Sequence, residues 1–187
     1  WSSLYALYSL FKEDNIFFVH NTKSPIRNPD YDWTKVIPGD DSSLIWNEFY
    51  SFDDIPQVLN PDSGYLFSAN QNPFFVSAKK DNLDSNLYPV TMGFQKRTTN
   101  RAHRLFELLD DDLSISYTEM DIYKHDNKFS YNSRQYKFLE RIFNHDYSNN
   151  KKFFEAQSFL KEWDLATDKN NMHAAFGVCL LSPEWLA

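Results

Sequence analysis

Two asparagines have the side-chain type and position to stabilise a negatively charged oxygen. Asn70 and Asn72 follow an apolar segment, residues 64–68, that we predict to be a strand, and Pro73 then ends regular structure. A side-chain amide that a sheet holds rigidly can donate its N–H hydrogens into a cavity, as an oxyanion hole requires. The same residues are typical of a turn cap, and their spacing alone favours that interpretation. Both interpretations therefore remain open.

The other reactive side chains form no familiar catalytic or metal-binding pattern. The five histidines are scattered, and the acidic clusters lack the alternating ligand spacing of a calcium loop. No Gly-rich phosphate loop, Gly-x-Ser-x-Gly elbow or Ser-x-x-Lys motif is found. The single cysteine, Cys179, lies in an apolar run, and we predict that it is buried rather than reactive. The sequence thus predicts no cofactor and no metal.

Short strands and ordered loops would position the two asparagines. We predict strands over three apolar runs, at residues 16–19, 43–46 and 64–68. Residues 60–64, Asn-Pro-Asp-Ser-Gly, have the chemistry of a tight turn, since Pro presets φ and Gly allows a positive φ. Three short strands form a thin sheet with unpaired edges, so partner strands are expected from elsewhere.

The rest of the chain is predicted to be helical. From about Thr98 the apolar period changes from two residues to 3.6, with Ser116 and Ser133 as caps and Pro183 after the last helix. The apolar stripes cover residues 102–109, 136–143, 153–163 and 172–179, and a weaker pattern covers 117–123. We therefore predict an α+β fold in a single fragment, 1–187, with a strand and loop part, about 1–97, and a helical part, about 98–187.

Five motifs follow one another along the chain: Trp46, Pro56, Asn-Pro-x-x-Gly at 60–64, Ala-Asn-x-x-Pro at 69–73 and Arg-x-x-Arg at 101–104. This ordered series resembles the β-chain of the penicillin acylase family of N-terminal nucleophile hydrolases. Several motifs in the family's order are more specific than any one of them, and the likeness extends from about residue 15 to 176. The resemblance implies part of an αββα-type fold and an amide hydrolase that releases an acyl group from an amine or from an acyl-homoserine lactone.

The resemblance also implies roles for four residues. The family's oxyanion-hole asparagine falls on Asn70. Its active-site arginine falls on Arg101, which would order the surroundings of the nucleophile; a helix-start arginine that bonds loop carbonyls is the structural alternative. Phe74 and Phe75 would border an acyl pocket, although in a chain with 17 Phe the packing of a core is the more ordinary use of such rings.

The family's nucleophile is a serine at the N-terminus of the β-chain, whose own α-amino group is the base. This sequence begins Trp1-Ser2-Ser3, so neither serine is terminal. We therefore expect an internal fragment of the β-chain that is inactive alone. The implied partners are a small acyl amide substrate and the remainder of the acylase α and β chains; an exposed sheet edge would also allow homo-oligomers. A periplasmic or secreted location follows from the resemblance only.

Composition limits the other classes of function. Lys and Arg total 19 against 26 Asp and Glu, a net charge of −7 that disfavours nucleic acid as a partner. No apolar run approaches the roughly 20 residues of a bilayer span, so no membrane partner is predicted. An aromatic content of 18% supports one alternative, a free-standing module that binds carbohydrate or peptide, which a complete and covered sheet would favour. A structural subunit that pairs with a separately encoded chain is another alternative.

Overall fold

The computed structural model describes residues 15–110, 112 and 114–186, with their side chains up to residue 182. The chain divides into two compact units, residues 1–98 and 99–187. The first contains two short strands joined by long ordered loops, and the second contains helices. The predicted α+β fold class is confirmed.

The sheet of the first unit is a short antiparallel pair. Strands β1, Phe17–Val19, and β2, Gln57–Leu59, place Phe18 directly opposite Val58. Both side chains are buried and pack with Val76 into the small core of this unit. Within the described part of the chain the sheet has two strands, so each has an unpaired edge. The complete sheet that a free-standing module would favour is therefore not formed by these residues.

Only one of the three predicted strands is present. The prediction for residues 16–19 is confirmed by β1, whereas residues 43–46 and 64–68 are not strands, and the sequence patterns missed β2. In the first of these two segments, 43–46, a 3₁₀ turn at Ser42–Leu44 takes the place of the predicted strand. Asp41 accepts hydrogen bonds there from both the N–H and the hydroxyl of Ser43. Local side-chain bonds of this kind compete with strand pairing.

The described part of the second unit contains five α-helices. They are α1 Asn100–Asp110, α2 Tyr117–Lys124, α3 Arg134–Phe143, α4 Lys151–Lys161 and α5 Ala174–Leu186. The helices predicted from the 3.6-residue period are confirmed. So are two predicted caps, since the Ser116 and Ser133 hydroxyls accept hydrogen bonds from the N–H groups of Glu119 and Tyr136.

The core of the second unit forms where these helices meet. Its fully buried members, Leu139, Leu160 and Leu181, come from α3, α4 and α5. Gly177 on α5 lies against the ring of Trp163, where a Cβ would come within 2.3 Å of a ring carbon. The Trp163 indole N–H is satisfied by the Ala166 carbonyl at 2.8 Å. Leu139 and Leu160, which lie in the apolar stripes of the sequence, therefore belong to one core, whereas Phe153, Met172 and Phe176 of those stripes are exposed.

Two predictions about α5 are wrong. The helix continues past Pro183 to Leu186 instead of ending before it. Proline cannot donate to the carbonyl four residues earlier, here that of Cys179, but the Ser182 hydroxyl donates to this oxygen at 2.9 Å and keeps it paired. Cys179 is exposed, because consecutive residues of an apolar run on a helix point in different directions.

No helix among the described residues has both the length and the apolar character that crossing a membrane requires.

Candidate functional site

Gln71 fixes the loop that carries Asn70. The Gln71 side chain is buried, and its Nε2 donates to the carbonyls of Phe67 and Phe75, at 3.1 and 2.8 Å. Its Oε1 accepts from the backbone N–H of Ala69. These bonds join the chain before Asn70 to the chain after it. Sequence reasoning gave Gln71 no role, since a buried glutamine leaves no periodic signal.

Asn72 attaches the same loop to a distant segment of its unit. Its Nδ2 donates to the carbonyls of Lys96 and Arg97, at 3.1 and 3.4 Å, and also lies within 3.4 Å of the Thr98 hydroxyl. Its Oδ1 accepts from the N–H of Phe74 at 3.0 Å. The side chain is buried. Asn72 is therefore engaged in holding the loop, and its amide is directed towards backbone.

Asn70 lies between these two buried amides and is itself exposed. Its φ is +60°, in the left-handed region, which asparagine tolerates better than most residues other than glycine. The strand that was predicted to hold Asn70 is absent. The hydrogen bonds of Gln71 and Asn72 hold the loop instead. Two properties of position 70 thus suit asparagine: the left-handed backbone conformation, and the exposure of the residue on a fixed loop.

The two neighbouring phenylalanines have different surroundings. Phe75 packs edge-on against Phe67, with ring centroids 5.6 Å apart, and supports the loop. Phe74 packs against Tyr88 and Phe94 and lines a pocket of about 40 Å³. A water needs about 10–15 Å³ by this measure, so the pocket takes a few waters but is too small for an aromatic acyl group in this conformation.

A buried histidine adjoins the same aromatic cluster. His20 packs edge-on against Phe94, with ring centroids 4.8 Å apart, and its backbone N–H donates to the Pro56 carbonyl at 3.0 Å. Burial lowers the pKa of the imidazole, which keeps it neutral at pH 7. His20 is thus an uncharged packing element of the first unit.

The two arginines of the Arg-x-x-Arg motif lie in the second unit, on α1. Arg104 forms a bidentate pair with Asp126, at 2.9 and 2.8 Å, and a third bond with Glu107 at 3.3 Å. Hydrogen bonding to Asp126 raises the pKa of Arg104. Burial alone would raise the pKa of Asp126, but its hydrogen bonds from Arg104 and the Lys128 N–H outweigh burial and hold that pKa below its usual value. Arg104 therefore fastens α1 to the loop after α2.

Arg101 is exposed in the first turn of α1. The helix start beside it is fixed by Thr99, whose hydroxyl accepts from the Ala102 N–H at 3.2 Å, and by Asn100, whose Oδ1 accepts from the Ser130 N–H at 2.9 Å. Arg101 is thus exposed, whereas Arg104 is partly buried in its pairing with Asp126. It belongs to the second unit, whereas Asn70, Phe74 and Phe75 belong to the first.

Comparison with known families settles the relationship. A family model described as penicillin amidase matches residues 11–181. The chain belongs to this family. A solved structure of a thermostable penicillin G acylase from Alcaligenes faecalis is similar, with a TM-score of 0.56 and 23% identity over 83% of this chain. The match covers 26% of the acylase chain, so this chain spans about a quarter of the relative. At this identity the structural likeness shows a shared fold.

In this penicillin amidase family member, the described residues include no group of three His, Cys, Asp or Glu side chains that could hold a metal ion. Asn70 and Arg101 remain predictions as site residues, while Gln71 and Asn72 are added here as the residues that hold Asn70 in place.

Proposed function

We propose that this chain is the section of an amide hydrolase that provides the oxyanion donor. Membership of the penicillin amidase family supports hydrolysis of a linear amide. The observation that carries the proposal is the exposed Asn70 on a loop whose conformation two buried amides determine. A donor that is already positioned does not have to reorganise as negative charge develops, and this is the main source of oxyanion stabilisation.

The proposed reaction proceeds through an acyl-enzyme. A serine hydroxyl attacks the amide carbonyl, and the Asn70 N–H donates to the oxygen of the tetrahedral intermediate. Collapse of that intermediate expels the amine, and a water molecule then releases the acid by the same steps. The serine is proposed to be the N-terminal residue of a β-chain, outside these 187 residues, with its own α-amino group as base. Arg101 is proposed to order the polar wall around it.

The remaining features of the proposal concern the whole protein. Its substrate would be a small acyl amine or an acyl-homoserine lactone, a chemistry related to antibiotic breakdown. The rest of the α and β chains would be its partners, and the protein would be exported. On this proposal the 187-residue chain by itself does not hydrolyse phenylacetyl amides, and substantial turnover by the pure chain would contradict the placing of the serine outside it.

Two substitutions separate the backbone role of Asn70 from the role of its amide. Asn70→Gly keeps a residue that adopts positive φ readily and removes the amide, whereas Asn70→Asp keeps the size and replaces the donor by an acceptor. In the complete acylase we expect both to lower kcat by about 10²–10³, as loss of one oxyanion donor does elsewhere, with KM changed only a few-fold. Steady-state kinetics with a chromogenic phenylacetyl amide gives both constants.

Asn86 provides the matched control. It is exposed, it lies in the same unit, and Asn86→Asp introduces the same charge. We expect kcat of that variant to stay within twofold of the parent enzyme. An Asn70→Gly enzyme with the parent kcat would show that the asparagine serves the backbone conformation alone, and an effect confined to KM would assign it to substrate binding.

A further inference from the structure

The helical unit contains a pocket that the proposed hydrolysis does not use. It lies where α3, α4 and α5 meet and has a volume of about 240 Å³. Aromatic rings of Tyr147, Phe153 and Phe176 line it, together with Ala156 and the fully buried Leu160. None of the described lining residues is Asp, Glu, Lys or Arg.

Gln157 and Tyr147 bring polar side-chain groups to this pocket, and the end of α3 determines the orientation of the Gln157 amide. Its Nε2 donates to the carbonyls of Ile142, Phe143 and His145, at 2.8, 3.2 and 2.9 Å. These carbonyls belong to the last turn of α3 and the residues after it. Because the amide nitrogen faces them, Oε1 faces away from them. The polar groups at the pocket are therefore an amide acceptor and the Tyr147 hydroxyl, which can accept or donate.

We propose that this pocket binds a small neutral aromatic molecule with one hydrogen-bond donor, of which a 4-alkylphenol is the simplest type. A cavity of about 150 Å³ encloses benzene, so 240 Å³ has room for a ring with a short alkyl group. The lining rings favour edge-to-face contact with an aromatic ligand. The donor would bond to Gln157 Oε1. A carboxylate is disfavoured, because no cationic side chain among the described lining residues would compensate the loss of its hydration.

The ligand chemistry is tested on the unaltered chain by NMR titration with three probes of matched shape: 4-ethylphenol, ethylbenzene and 4-ethylbenzoate. We expect 4-ethylphenol to bind with a Kd on the order of 0.1–1 mM, with shifts concentrated at Ala156, Leu160 and Phe176. Ethylbenzene should bind about three- to tenfold more weakly, as for one lost hydrogen bond. Benzoate binding as tight as that of the phenol, shifts elsewhere, or no saturable phenol binding would each overturn the proposal.

A pair of substitutions on α4 tests the place. Ala156→Leu fills the pocket, whereas Ser158→Leu adds the same side chain to an exposed position two residues away. We expect at least tenfold weaker phenol binding for the first and a change within twofold for the second. Equal binding by both would overturn the proposal. If Ala156→Leu does not fold, Phe153→Ala replaces it, with the exposed neighbour Phe154→Ala as control; about fivefold weaker binding is expected for Phe153→Ala only.

Discussion

The two units of this chain are stabilised in different ways. In the first, side-chain amides bonded to backbone hold the loops: Gln71 and Asn72 around Asn70, and Asn82, whose Oδ1 accepts from the N–H groups of Val76 and Ser77 at 2.8 and 3.0 Å. In the second, leucines of three helices form a common core. A loop of exact shape thus depends on a few polar side chains, whereas a helical unit depends on apolar area.

This difference matters for function because the candidate oxyanion donor lies in the polar unit. A side chain on a loop can act as a fixed donor only if the loop has one conformation. The amide bonds around Asn70 provide that conformation without a strand. Substitutions of buried residues in either unit should therefore lower stability, and those around Asn70 should also change the catalytic geometry.

Leu139→Ala should have the largest effect on stability. Leu139 is fully buried in the core of the second unit, and loss of a buried leucine leaves a cavity that costs about 3–5 kcal/mol. Urea unfolding of the chain, followed by circular dichroism at 222 nm, measures the change. Phe154→Ala on the exposed side of α4 is the control and should change the free energy of unfolding by less than about 0.5 kcal/mol.

Gln71→Glu should come next and tests the polar unit. The change keeps the size and Oε1 but removes both Nε2 donors, so the Phe67 and Phe75 carbonyls lose their partner beside a buried acid. We expect the unfolding free energy to fall by about 2–4 kcal/mol, from unsatisfied buried groups at about 1–3 kcal/mol each. In the complete hydrolase that we propose, kcat should fall with it, although Gln71 is not proposed to contact substrate.

Gln95→Glu is the matched control, since Gln95 is exposed in the same unit. It should leave both stability and kcat close to those of the parent protein. If Gln71→Glu behaved like the control, the proposed dependence of the Asn70 loop on its buried amides would be wrong.

The sequence predicted the helical unit better than the loop unit for a physical reason. Helix stripes and caps are local and periodic, so Ser116, Ser133, Leu139 and Leu160 could be identified from spacing. The bonds of Gln71 and Asn72 follow no period, and Asn72 reaches residues about 25 positions away. For the same reason residues 64–68 were wrongly predicted as a strand. The apolar residues of a strand are present, but side-chain hydrogen bonds take the place of the backbone pairing of a sheet.

The chemistry of the candidate site was predicted from the sequence, whereas the residues that support it were not. Asn70 was chosen from the residues around it and from a family resemblance that the family match confirms, and its role stays a prediction. The strand that was expected to hold it is absent. Gln71, which helps to hold it instead, had been given no role, and Asn72 had been considered as a second donor. The resemblance singled out Arg101, and the structure adds the pairing of Arg104 with Asp126.

Gly177→Ala should have a smaller effect than the first two substitutions, and its sign is informative. In an ordinary helix interior alanine is more stable than glycine by about 0.8–1.0 kcal/mol. Here the new Cβ would lie 2.3 Å from the Trp163 ring, so overpacking should reverse the sign and destabilise the chain by about 1–3 kcal/mol. Urea unfolding measures the change, and an increase in stability would show that α5 and Trp163 separate easily.

The smallest expected effect is on pH dependence, and it involves one histidine in each unit, His20 and His103. Burial lowers the pKa of His20 and of His103 from 6.5, so each binds a proton more readily in the unfolded chain than in the folded one. Stability that these groups contribute above about pH 6.5 is therefore lost as the pH falls through the range below it. The half-buried carboxylate Asp126 loses its contribution only near and below pH 3.8, outside that range.

The two histidines can be separated by substitution. His20→Phe and His103→Phe should each reduce the loss of unfolding free energy between pH 7.5 and 5.5, measured by urea unfolding. The reduction should be larger for His20, because it is buried whereas His103 is half-buried, and the cost of charging a group grows with burial. An unchanged slope in His20→Phe would mean that the loop-built unit opens locally to admit a proton, and its polar network would then be less rigid than the geometry around Asn70 requires.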